Sequence, residues 1–187
     1  MGKIRCGWCE GNELYEQYHD LEWGVPVYDD QQLFEFLILE TFQAGLSWIT
    51  ILKKRENFRL AFDFFDYKKV AVYDDNKYEE LLHNAGIIRN KLKIKAAITN
   101  AQAFMEIQKE FGSFSEYIWS FTNGKPITSS FKTLADVPAT TTLSDTISKA
   151  LKKRGFKFVG STVIYAHMQA TGMVNDHITS CFRYNEV

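Results

Sequence analysis

The sequence predicts an all-α protein on three observations. Apolar residues recur at three- and four-residue spacing along most of the chain, the mark of helices with one buried stripe. Ser, Asp and Gly fall at the edges of those stretches, where helices need caps and stops. Only 3 of 187 residues are proline, and no alternating run finds a convincing partner strand.

In chain order, Asp29 or Asp30 can cap a helix through Leu33, Phe36 and Leu37 to Thr41 and Phe42, with Gly45 as its stop. Ser47 caps the next helix, from Trp48 to about Phe62. Asp66 and Asp74 precede two short helical stretches, and Gly86 fits the stop after the second. A long helix follows with Ile94, Ile98, Ala101 and Met105 on one stripe, ended by Gly112. Ser113 or Ser115 starts a short helix holding Tyr117, Ile118 and Phe121. Residues 122–142 are polar and broken by Pro126 and Pro138, so they read as a surface connection anchored by Phe131, Leu134 and Val137. Helices resume over about 143–154 and 161–171, with Gly155, Gly160 and Gly172 as breaks. The stretch 156–159 has the composition of a strand but nothing nearby to pair with.

The length suits a single domain spanning 1–187, or two small helical lobes around one core. A 45% apolar and 24% charged composition excludes a disordered chain and a disulfide-rich mini-protein. No apolar run reaches the roughly 18–20 residues needed to cross a bilayer, and no secretory signal opens the chain. The expectation is a cytoplasmic monomer without membrane contact. Lys plus Arg number 22 against 23 Asp plus Glu, a net charge of −1. Duplex DNA binding therefore finds no support in overall charge and must rest on local patches.

Three basic stretches are candidates: 53–55, 89–95 and 152–157. In the last, a Lys-rich helix ends at Gly155, Lys157 lies in the turn, and Gly160 and Ser161 open the next helix. Glycines let a backbone approach phosphate closely, and free N–H groups at a helix start can bind it. An ordinary helix–turn–helix with a solvated basic face fits the spacing equally well.

Cys6, Cys9, His19, His177 and Cys181 are the soft or borderline metal ligands near the chain ends. His177 and Cys181 are four apart and would share a face on one helical turn. With Cys6 and His19 they make a Cys2His2 set suited to a closed tetrahedral zinc site joining the two ends. Three unrelated thiols with two histidines stay open as a reading, as does a Cys6 and Cys9 pair that is redox-active or supplies both N-terminal sulfurs.

Glu40 continues the apolar stripe of its helix, so its carboxylate is expected to be desolvated, with a raised pKa. The first 48 residues hold Trp8, Tyr15, Tyr18, Trp23 and Trp48, among them three of the four tryptophans. Such a density suits a core, and also a slot for a flat guest. An acid at the end of that slot favours a planar cationic guest, such as a methylated nucleobase.

Six stretches together resemble the DNA-3-methyladenine glycosylase I family over essentially the whole chain: RCGW at 5–8, YHDLEWGVP at 18–26, QAGLSWITILKKRENFR at 43–59, NAGIIRNKLKI at 84–94, SKALKKRGFKFVGST at 148–162 and MVNDHITSC at 173–181. The resemblance implies a helix-hairpin-helix DNA glycosylase fold, with the paired helices at about 143–171. It also implies excision of N3-methyladenine from alkylated double-stranded DNA, with free 3-methyladenine and an abasic site as products and no lyase step. Carried across, it makes Cys6, His19, His177 and Cys181 ligands of a structural Zn2+, leaving Cys9 over. Glu40, Tyr18 and Trp48 become the base pocket, with Glu40 and Tyr18 as the catalytic candidates and Tyr15, Trp8 and Trp23 as supporting aromatics. Gly155, Lys157, Gly160 and Ser161 become the phosphate element; Leu46, in the turn Gly45 to Ser47 between two helices beside that pocket, is the candidate to wedge into the duplex gap. Asn175 falls where related glycosylases carry a catalytic carboxylate. A nucleobase-binding protein without turnover is the alternative.

Overall fold

The computed structural model describes residues 2–187. Its helices are α1 (Glu13–Leu21), α2 (Asp30–Gln43), α3 (Trp48–Leu52), α4 (Arg55–Ala61), α5 (Tyr67–Val70), α6 (Asp75–His83), α7 (Lys91–Phe111), α8 (Phe114–Ser120), α9 (Thr142–Lys153) and α10 (Ser161–Ala170). Two two-residue strands, β1 (Ile127–Thr128) and β2 (Val174–Asn175), pair in parallel. The fold is thus helical, with one short ladder. Among the described residues no helix is long and apolar enough to cross a membrane.

The helix α2 is the axis of the molecule. Every residue from Leu33 to Phe42 is buried, so it is enclosed on all sides rather than on one stripe. Around it pack α3, α7, α8 and α10. The buried face of α7 runs through Ile94, Ala97, Ala101, Phe104 and Ile107. Ile98 and Met105, expected on that stripe, are only half-buried at its edge.

Local chemistry starts most helices where the sequence suggests. Asp29 caps α2, Asp66 caps α5, Asp74 caps α6 and Ser113 caps α8, each side chain accepting from an orphan N–H of the first turn. Thr141 and Ser144 form a reciprocal capping box on α9.

Four expectations need correction. The helix expected from Trp48 to about Phe62 is two, α3 and α4, broken at Lys53 and Lys54. Lys54 there points Nζ at the carbonyls of Ala85 and Gly86, 3.1 and 3.2 Å away. The helix α6 ends at His83, and Gly86 lies beyond it in a turn whose N–H bonds to Asn84 Oδ1. Helix α1, capped by Asn12, was not expected, because its sequence is mostly polar. Its buried residues are Tyr18 and His19, and both face partners brought in by other elements. His177 and Cys181 do not share a helical turn: β2 leads into extended chain and then a turn.

One close approach ties the end of α10 to the segment after α1. Gly172 (φ +68°) leaves so little room that a Cβ would lie 2.5 Å from the backbone of Val25 and Pro26. The Val27 N–H donates to the Thr171 carbonyl at 3.0 Å, and Gly24 N–H to that of Gln169 at 3.1 Å. These contacts bring the two ends of the chain together.

Candidate active site

Two acids on α2 are buried, and their surroundings differ. Glu35 accepts from Arg55 at 2.7 Å and from Arg59, with Arg55 also bonding Glu22 at 2.6 Å. Glu40 is 4% exposed and has no such cation. Burial alone pushes its carboxyl up to about 8. Glu35 is therefore a structural ion pair, whereas Glu40 is a buried acid with no partner among the described residues.

Glu40 faces a cavity of about 390 Å³. Tyr18 of α1, Trp48 at the start of α3, and Trp8 and Trp23 form its aromatic walls. Tyr18 and Trp48 lie 5.6 Å apart between ring centroids, and Trp8 sits edge-on to Trp23 at 5.2 Å. Leu134 and Val137 of the long connection close one side, and Ala166 and Gln169 of α10 another. Gln43 and Asp176 add polar groups. Among the described residues the buried Trp48 indole N–H makes no full hydrogen bond, though it is directed at the Tyr18 hydroxyl, whose phenol is raised well above its usual range by burial reinforced by Glu40. Flat apolar walls, an acid and a spare donor suit a planar guest with polar edges.

Tyr15 does not line this cavity. Its hydroxyl accepts from the Ile49 N–H at 2.9 Å, pinning α3, and its ring meets Trp8 edge-on at 5.4 Å. Asn175 does not line it either. Its amide donates to the carbonyls of Tyr184 and Val187, both at 3.0 Å, and its oxygen accepts from His177. The next residue, Asp176, is the one that reaches the cavity. Sequence reasoning missed it, together with Gln43 and Gln169. The only signal was its place beside Asn175, and two neighbouring polar residues give no sign of which turns inward.

Cys6, His19 and Cys181 are buried, with their ligand atoms all within 4.8 Å of one another, so they can hold a metal ion. Asp20 sits 2.9 Å from His19 Nδ1, which turns Nε2 toward the sulfurs. His177 lies against them, its ring 5.0 Å from that of His19. Its Nδ1 is engaged by Asn175 at 2.9 Å, while Nε2 is buried and has no partner among the described residues. Cys9 stays outside the group: its thiol donates to the Cys6 carbonyl, and burial pushes it up to about 11. A thiol so raised is a poor nucleophile, which weighs against a redox pair. Trp23 stacks on His19 and meets His177 edge-on at 4.5 Å, so the cluster backs directly onto the cavity wall.

Between α9 and α10, Gly155 and Gly160 bound a turn with Phe156 and Val159 buried and Lys157 exposed. Asn100 bonds both the N–H and the carbonyl of Lys157, at 2.7 and 3.0 Å, and Ser148 bonds the Val159 carbonyl. Ser161 Oγ is 2.8 Å from Ser144 Oγ. The basic stretches are partly spent on partners within the chain. Arg154 pairs with Glu110, Arg55 with Glu35, and Lys93 is buried with Nζ on the Phe42 and Ala44 carbonyls. Lys53, Arg89, Lys91, Lys95, Lys152, Lys153 and Lys157 remain exposed. Leu46 projects half-exposed from the turn that Lys93 holds.

The profile of a family described as methyladenine glycosylase matches residues 8–184. The chain is 51% identical over 180 residues to DNA-3-methyladenine glycosylase 1 of Escherichia coli (strain K12), covering 96% of each chain. A crystal structure of 3-methyladenine DNA glycosylase I superposes with a TM-score of 0.93 at 51% identity, covering 96% of this chain and 98% of that one. That of a Tyr-to-Phe variant in complex with 3-methyladenine gives a TM-score of 0.92 at 35% identity, covering 95% and 96%.

Proposed function

The chain belongs to the methyladenine glycosylase family, and from that premise we propose that it excises N3-methyladenine from alkylated double-stranded DNA. The single observation that carries this is Glu40, a buried acid in an aromatic cavity with no partner among the described residues. A free acid there is costly, and a cationic guest offsets the cost by favouring the charged form. N3-methyladenine is such a cation while joined to the sugar.

In this reading the damaged nucleotide leaves the stack and enters the cavity. Trp48 stacks on the base, Tyr18 shapes the pocket, and Glu40 accepts from the adenine edge. Trp8 and Trp23 complete the walls, with Tyr15 bracing them from behind. Breaking the glycosidic bond returns its electron pair to the base, which departs neutral as 3-methyladenine. Water adds to the sugar carbon and loses a proton, leaving an abasic site. A leaving group this good needs little acid assistance, so holding the geometry supplies much of the catalysis. Asn175, engaged with the chain terminus, is consistent with that. The reading is one of simple hydrolysis, without a lyase step.

The helices α9 and α10 with their turn would serve as a helix-hairpin-helix element, Gly155, Lys157, Gly160 and Ser161 meeting the DNA backbone. Because α10 also carries Ala166 and Gln169, that grip and the cavity share one rigid helix. Leu46 would fill the gap left in the duplex. Cys6, His19, His177 and Cys181 would hold zinc: two thiolates and two imidazoles form a closed tetrahedral set, and the orphaned Nε2 of His177 supports the fourth place. Zinc there would supply the charge that keeps the thiols deprotonated and would join the chain ends. The reading carries with it a monomer acting in the cytoplasm.

The test is release of 3-methyladenine from alkylated duplex DNA, followed by chromatography, for wild type beside Glu40→Ala. Release by wild type, reduced at least a hundredfold in the variant, is the expected result, on the scale of losing a hydrogen bond to a charged group in a closed site. Binding of the base without release would favour a nucleobase-binding protein instead.

A further inference from the structure

Two glutamine amides line the cavity, Gln43 and Gln169, and their partners decide which end of each meets a guest. Gln169 Nε2 donates to Asp176 Oδ2 at 2.9 Å. Gln43 Nε2 donates to the Leu46 carbonyl at 2.9 Å. A carboxylate and a carbonyl accept hydrogen bonds, so each amide must turn its NH2 end to that partner. That leaves each carbonyl oxygen without a donor among the described residues and free to accept from a guest. Asp176 is itself rigidly held: it is 1% exposed and also accepts from Ser129 Oγ at 2.6 Å and from the Tyr165 hydroxyl.

Building on the excision reading, we propose that Asp176 is a positioning residue for base selection. By holding Gln169, as the Leu46 carbonyl holds Gln43, it makes the glutamine side of the cavity an array of acceptors. Such a wall admits a purine with an amino group at its 6-position and rejects one with an oxygen there. The amino group donates into the array. An oxygen would meet other acceptors, leaving both sides desolvated and unpaired. In Asp176→Asn the new amide can donate to Gln169, which is then free to rotate and offer its NH2 end to the cavity. Discrimination should weaken even where the fold survives.

The experiment compares binding of free 3-methyladenine and free 3-methylguanine by tryptophan fluorescence, with wild type, Asp176→Asn and Gln169→Met. Wild type should prefer 3-methyladenine, and the ratio of the two affinities should fall about tenfold in each variant, the scale of one hydrogen bond in a closed site. A purely structural role would weaken both bases alike and leave the ratio unchanged; that result, or a wild type without preference, overturns the proposal. Should Asp176→Asn fail to fold, Gln169→Met decides alone. Excision by wild type with an unchanged ratio in the variants strikes this inference only. The expected ratios without any release from DNA strike the excision reading only.

Discussion

Glu40 makes the free protein less stable than it could be. Its folded carboxyl titrates near 8 against an ordinary value of 4.5. Between those values the unfolded chain has given up a proton that the folded chain keeps, so stability falls as pH rises through that window. Glu40→Gln should therefore be more stable than wild type, by little at pH 5 and by about 3–5 kcal/mol at pH 8. Thermal melts at the two pH values measure this. A difference that does not grow with pH would mean the carboxyl is solvated. Glu40 was legible in the sequence because it interrupts an apolar stripe. Glu35 on the same helix is as buried but drew no notice, since its partners Arg55 and Arg59 lie 20 and 24 positions away.

At the scale of elements, the long helices were legible and their mutual fastening was not. Caps and stops depend on residues within a turn, so Asp29, Asp74 and Ser113 announce their helices. Asp30 shows the other kind of contact. Its carboxylate accepts from the Phe114 and Ser115 N–H groups at the start of α8, at 2.9 and 2.8 Å, and from Gln108 of α7 at 2.6 Å. One side chain thus caps a distant helix and joins three elements. Asp30→Ala should cost about 2–3 kcal/mol in urea denaturation, because two first-turn N–H groups lose their acceptor. A loss within 0.5 kcal/mol, the range of an ordinary surface change, would show that water replaces it. Lys93 does the same for the end of α2 and the turn bearing Leu46. Helix α1 escaped the sequence because it buries so few residues, and α3 with α4 read as one because the apolar spacing continues through their break.

Across the whole molecule, the metal-ligand cluster links the chain ends to the cavity. Trp23 packs on both His19 and His177, and Asp176 is the residue before His177. A metal bound there stabilises the folded state and is lost with its ligands' arrangement. If the cluster holds zinc as proposed, a chelator should lower the melting temperature, shift tryptophan emission and weaken binding of free 3-methyladenine, with helical circular dichroism retained at 25 °C. Full base binding after complete metal removal would show that the cluster and the cavity are independent. The net charge of −1 gave no sign of a DNA-binding face, because binding depends on where charges lie. Folding sorts them: Arg55 and Lys93 are buried on partners inside the fold and Arg154 pairs with Glu110 at the surface, while Lys152, Lys153 and Lys157 near the α9–α10 turn stay exposed.

By itself the amino-acid order determined the helical class, most helix starts, the buried acid, the aromatic setting and the metal-ligand candidates. Each of these depends on spacing within a few residues or on residue type. Only tertiary structure decided which of two adjacent residues, Asn175 or Asp176, faces the cavity, which basic side chains remain available, and which way the Gln43 and Gln169 amides point. The physical reason is that a side chain's partners across the fold set its charge, orientation and exposure, and those partners come from segments as far apart as His19 and His177.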